Sequence, residues 1–108
     1  LEAAGRLRDV NEASGQSPKA ALRRRVVIAN RLGLHARAAA RFVKLAGQFD
    51  AEVRVRKDDN EVSGLSILGL MMLAAVPGSA LELIASGNQA QAALDALEAL
   101  VEGKFDED

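Results

Sequence analysis

Residues 25 to 47 read RVVIANRLGLHARAAARFVKLAG and hold the only histidine of the chain. Arg25 to Ala29 has the β-branched content of a strand. Beyond His35, the residues Ala39, Phe42, Val43 and Ala46 recur at i, i+3, i+4 and i+7, one face of an amphipathic helix. Gly47 is expected to stop that helix through a left-handed C-terminal residue. His35 therefore falls where a loop hands over to a helix, at or beside the N-cap. Backbone N–H groups there have no partner inside the helix, and together with the helix dipole they favour an anion. Arg37 adds a fixed positive charge.

Imidazole suits phosphoryl exchange. With an ordinary pKa of about 6.5, the ring is largely uncharged and nucleophilic near neutral pH. Its nitrogen is also a good leaving group, so a phosphoryl group taken on can be passed to another acceptor. Phosphoryl transfer then asks mainly for positioning and charge neutralisation. The plain alternative is a capping or surface histidine. Metal binding is disfavoured, since there is no cysteine and no second histidine. No G-x-S-x-G nucleophile elbow is present.

The neighbouring stretches complete a small mixed fold. Arg24 to Ala29 is the first strand, with Val26 and Ile28 facing inward, and Arg23 to Arg25 is a basic run at a solvated edge. Glu52 to Arg56 alternates apolar and charged residues, a strand with one wet face. Lys57 to Asn60 is a turn, and Glu61 to Gly64 returns as the second half of a hairpin. Ser66 caps a second helix expected to run to about Ala75, ended by Val76-Pro77-Gly78. Its residues Ile67, Leu68, Leu70, Met71, Met72 and Leu73 are apolar all round. A helix on one sheet buries only one side, so an exposed apolar patch is expected, suited to partner docking. Cover by a second domain or a dimer mate is the other reading.

Ala80 to Ala85 is the fourth strand, and Asn88 is expected to cap the last helix with Gln91 as a capping-box partner. Ala90, Ala93, Leu94, Leu97, Leu100 and Val101 form its buried stripe, Gly103 ends it, and the acidic tail is expected to be solvated. Strand, helix, strand, strand, helix, strand, helix predicts an α+β open-faced sandwich, a four-stranded antiparallel sheet with three helices on one face.

The chain has 108 residues, enough for one such core. A net charge of −1 gives no bulk attraction to nucleic acid, and with no Trp or Tyr and three Phe there is little to stack on bases. The longest uncharged apolar run, Leu65 to Val76, is far short of the ~20 residues that span a bilayer. Residues 1–22 are read as an N-terminal extension or linker, a short helical piece followed by the small and polar residues Asn11 to Pro18, and residues 23–108 as the domain. The opening Leu rather than Met fits a processed chain or a piece of a longer one.

Residues 30–40, NRLGLHARAAA, resemble the active-site signature of HPr, the histidine phosphocarrier family of the bacterial phosphotransferase system. Residues 66–73, SILGLMML, are similar to the family's second motif around its regulatory serine, at a matching spacing. The ending Gly103 to Asp108 looks like the tail of NPr, the nitrogen-related branch. The family usually carries proline after the arginine, where this chain has Ala38. Alanine is an excellent helix former, so the fold is expected to survive.

The resemblance implies a carrier rather than an enzyme. His35 would accept phosphate as a pros-phosphohistidine from enzyme I, with phosphoenolpyruvate as source, and pass it to a IIA-type protein. Arg37 would neutralise the phosphate, with the N–H groups of Ala36 and Arg37 as donors. Ser66 would be the regulatory serine, a substrate for an HPr kinase/phosphorylase. Ile67, Leu68, Met71 and Arg41 would meet partners, the last from a basic helix side of Arg37, Arg41 and Lys44. A cytoplasmic monomer without cofactor, in sugar uptake or nitrogen regulation, completes the expectation. The rival is a non-catalytic interaction domain of the same fold, binding through its apolar second helix.

Overall fold

The computed structural model describes residues 21–107, so the expected N-terminal helix and linker lie outside the described residues. Strands β1 (Leu22–Val27), β2 (Glu52–Lys57), β3 (Asn60–Ser63) and β4 (Ala80–Ser86) alternate with helices α1 (Ala36–Ala46), α2 (Ile67–Met72) and α3 (Ala90–Glu102). A 3-10 turn, Lys104–Asp106, follows α3. The strands form one antiparallel sheet in the order β1-β4-β2-β3. This is the expected open-faced arrangement.

Period-two alternation sorts the strands' side chains. Val26, Val53, Val55, Leu81, Leu83 and Ala85 lie in the core with Ala39, Phe42 and Ala46 of α1, Leu70 of α2, and Leu94, Leu97 and Val101 of α3. The opposite face is wet and held by cross-strand ion pairs, Arg23 to Glu82 at 3.0 Å and Arg54 to Glu61 at 2.5 Å. Arg24 departs from the expected solvated run. It is half-buried and reaches α3, bonding Asp95 at 3.0 Å and Glu98 at 2.5 Å.

Several boundaries differ from the sequence reading, each for a local reason. α2 ends at Met72 rather than near Ala75, because Ala74 turns to φ 53° and frees the Ala75 carbonyl for the loop before α1. Gly47 does end α1, but at φ −68°; a tightening last turn, with Gln48 N–H to Leu45 O at 3.0 Å, replaces the left-handed cap. Asn88 does not cap α3. The N-cap is Gln89, whose side chain accepts from the Asp50 N–H at 2.6 Å, while the Asn88 amide donates to the Asp50 carboxylate. Ser66 caps α2 as expected, its Oγ accepting from the Gly69 N–H at 2.9 Å.

The tail is the largest revision. It is solvated only in part: Lys104 and Asp106 are exposed, but Phe105 is fully buried in the core, Glu107 is half-buried, and the turn carrying Phe105 packs against α3 and α1. Lys104, Phe105 and Asp106 all adopt positive φ to put it there.

Candidate functional site

The loop between β1 and α1 is built to present one ring. Ile28 donates to the Ser79 carbonyl and accepts from the Gly78 N–H, and Leu34 N–H bonds the Ala75 carbonyl at 2.9 Å. Gly33 sits between these anchors at φ +67°. Asn30, wholly buried, donates to the Gly33 carbonyl at 2.7 Å. Loop ends pinned in this way fix the direction in which His35 leaves the chain.

His35 is the N-cap of α1, in extended conformation, and its carbonyl accepts the helix's first bond from Ala39 N–H at 2.9 Å. Its side chain does not cap the helix. Among the described residues, the N–H groups of Ala36, Arg37 and Ala38 therefore have no acceptor. The family's proline at position 38 would lose no hydrogen bond; alanine leaves a third donor in the first turn. The imidazole is 28% exposed, neither enclosed in the core nor lost in solvent. It lines an open hollow of about 510 Å³ together with Arg31, Arg37, Arg41, Asp106 and Glu107.

Sequence reasoning gave no role to two members of this site, Glu107 and Asn30. Glu107 Oε2 lies 2.5 Å from His35 Nε2, and its Oε1 accepts from the Asn30 amide at 3.0 Å. Glu107 is only 13% exposed. Burial works to raise its carboxyl, but the bonds from Asn30 and His35, with the charges of His35 and Arg41, outweigh that and hold it below the ordinary glutamate value. Arg41, expected along a wet helix side, is half-buried and donates to the Phe105 carbonyl, tying α1 to the tail. Arg37 and Lys44 are exposed as expected, and Arg37 bonds nothing among the described residues. A phenylalanine set in an otherwise charged tail was the available signal that this segment docks.

α2 supplies a second surface beside the first. Leu70 and Leu73 are buried, whereas Ile67, Leu68, Met71 and Met72 face out, Leu68 at 68% and Met72 at 75% exposure. The patch extends through exposed Leu65 and Val76, and the Ala75–Leu34 bond joins it to the His35 loop. Ser66 stands at its edge, half-buried. No cluster of metal-ligating side chains exists among the described residues, and no helix there is long and apolar enough to cross a membrane.

A family model described as the PTS HPr component phosphorylation site matches residues 22–103. The chain belongs to the HPr family. Among HPr-family relatives, the phosphocarrier protein NPr of Shewanella violacea is 49% identical over 86 residues, covering 80% of this chain and 94% of that protein. The phosphocarrier protein HPr of Neisseria meningitidis serogroup A is 48% identical, covering 80% and 97%. Solved HPr structures superpose closely. HPr-C-His from Thermoanaerobacter tengcongensis gives a TM-score of 0.77 at 39% identity, covering 81% of this chain and 98% of the other. HPr from Bacillus anthracis gives 0.73 at 40%, covering 77% and 99%. A phosphocarrier role in the phosphotransferase system follows from the HPr family.

Proposed function

We propose that the protein accepts a phosphoryl group on His35 from enzyme I, charged from phosphoenolpyruvate, and hands it to a IIA-type protein. The observation that carries this reading is a half-open imidazole at the start of α1, beside three backbone N–H groups and the Arg37 guanidinium, none of which has a partner among the described residues. The ring is the nucleophile and later the leaving group. The N–H groups of Ala36 and Arg37 and the Arg37 guanidinium meet the phosphoryl oxygens, supplying the charge neutralisation this chemistry asks for. The partner enzymes do the catalysis; this chain is the carrier.

The exposed apolar side of α2 is the docking surface in this reading, with Ile67, Leu68 and Met71 at its centre, and Arg41 would add a partner contact from α1, beside the tail it bonds. Ser66 would serve as a regulatory position for an HPr kinase/phosphorylase. Its phosphate would set a dianion among those apolar side chains and repel acidic partners. A monomer working in the cytoplasm fits such an exchange between partners.

Incubation with enzyme I and phosphoenolpyruvate tests the central claim by intact mass. Wild type is expected to gain one acid-labile phosphoryl group and His35→Ala none. Label that persists in the His35→Ala protein sinks the assignment.

A further inference from the structure

The Glu107–His35 contact joins a carboxylate to the ring nitrogen farther from the backbone, at 2.5 Å, with the carboxylate's other oxygen held by the buried Asn30 amide at 3.0 Å. An ionised carboxylate only accepts hydrogen bonds. Both of its neighbours must therefore donate, and His35 must carry its proton on Nε2. The lone pair is then on Nδ1, which bonds nothing among the described residues. We propose that Glu107 is a positioning residue for phosphoryl exchange, fixing the His35 tautomer and orientation that make Nδ1 the nucleophile. This rests on the assignment of His35 as phosphoryl acceptor.

Asn30 makes the arrangement directional. Its amide nitrogen already serves the Gly33 carbonyl and Glu107, and the whole side chain is buried, so it cannot turn to offer an acceptor without losing the Gly33 bond. The tail is anchored separately, by Phe105 in the core and by Arg41 on the Phe105 carbonyl. The carboxylate is thus held from two sides before any partner arrives. The other charged groups around the ring are Arg31, Arg37, Arg41 and Asp106.

The exchange balances with this proton in place. The Nδ1 lone pair forms the N–P bond while the donor's bond to phosphorus breaks and its electron pair leaves with the donor. The ring becomes cationic with its proton still on Nε2, facing the carboxylate. On onward transfer the N–P bond breaks, its electron pair returns to Nδ1, and neutral imidazole departs. A ring that has lost the Nε2 proton would have to leave as an anion, which is far harder. Glu107 favours the protonated ring in both directions.

Glu107→Gln discriminates this from simple packing. If the new amide oxygen accepts from Asn30, its NH2 must face Nε2, which then has to be the acceptor; the proton moves to Nδ1 and blocks the nucleophile. Glu107→Ala removes the bias without inverting it. The ring's tautomer is read from long-range 1H–15N spectra of the unphosphorylated proteins above the ring's titration. Initial phosphorylation rates are read with enzyme I and phosphoenolpyruvate. The expected result is Nε2–H in wild type, a mixture in Glu107→Ala, and Nδ1–H with a rate lowered about tenfold or more in Glu107→Gln, as when an outer carboxylate partner of a functional histidine is lost.

The same tautomer and rate in all three proteins would overturn the role of Glu107 while leaving His35 as acceptor. Faster phosphorylation of both variants would overturn it too, making the tail a blocking arm. Label on His35→Ala would instead remove the acceptor assignment beneath it.

Discussion

At Gly33 the backbone stands at φ +67°, and a β-carbon built there would lie 2.3 Å from the Ala75 carbonyl oxygen. That oxygen is not free to retreat, because it accepts the Leu34 N–H. Gly33→Ala is therefore expected to destabilise the fold by about 1–3 kcal/mol, from left-handed strain and a backbone clash together. Urea unfolding measures it, and an unchanged midpoint would mean that the loop relaxes at no expense. The position of His35 at a helix start was legible because the 3.6-residue period after it and the strand before it leave only that role. Asn30 and Glu107 were not legible as a pair. They are 77 residues apart, and no local pattern records a contact made by two chain segments that meet only in the finished fold.

Among the elements, α2 shows how far periodicity goes. An all-apolar helix cannot announce which side is inward; contact with α1 and β3 settles that Leu70 is fully buried while Leu68 is 68% exposed. Leu70→Ala is expected to cost about 2–5 kcal/mol through the cavity it leaves. Leu68→Ala should change stability by less than about 0.5 kcal/mol while weakening partner complexes, if α2 is the docking surface. Paired denaturation and partner titration separate the two effects. The closing turn is a second case, since three consecutive positive φ values outside glycine are not inferable from propensity and persist only because Phe105 is buried. The Glu107 carboxyl titrates below the ordinary value, so its contribution to stability is present above the unfolded value of about 4.3 and disappears as pH falls through the lower folded value. Wild type should accordingly exceed Glu107→Ala in unfolding midpoint at pH 7 and lose that advantage as the pH falls below the lowered value of the folded carboxyl. An advantage that persists in acid would mean that the tail is held without the carboxylate.

For the molecule as a whole, the sheet order places the most constrained strand in the middle and the functional segments at the margins. β4 is paired along both edges, with β1 and β2, and Leu81, Leu83 and Ala85 fill the core from one of its faces. Even Ile84, on the open face, is only 9% exposed, flanked in register by Arg23 and Arg54 whose aliphatic stems stand beside it. Among the described residues β3 pairs only with β2, and the tail is held by one buried ring and a few side-chain bonds. Opening free energy follows burial and pairing, so native-state amide exchange should fall into a gradient. The β4 amides are expected to exchange only through global unfolding, those of β3 faster, and those of the closing turn faster still. Such a gradient serves a carrier well, because the tail opens more readily than the sheet when a partner docks, while at rest Glu107 stays on His35 and the sheet keeps the pinned loop and the start of α1 in place. Exchange at the tail as slow as at β4 would contradict this, and would place Glu107 among the rigid parts of the fold rather than at its adaptable edge.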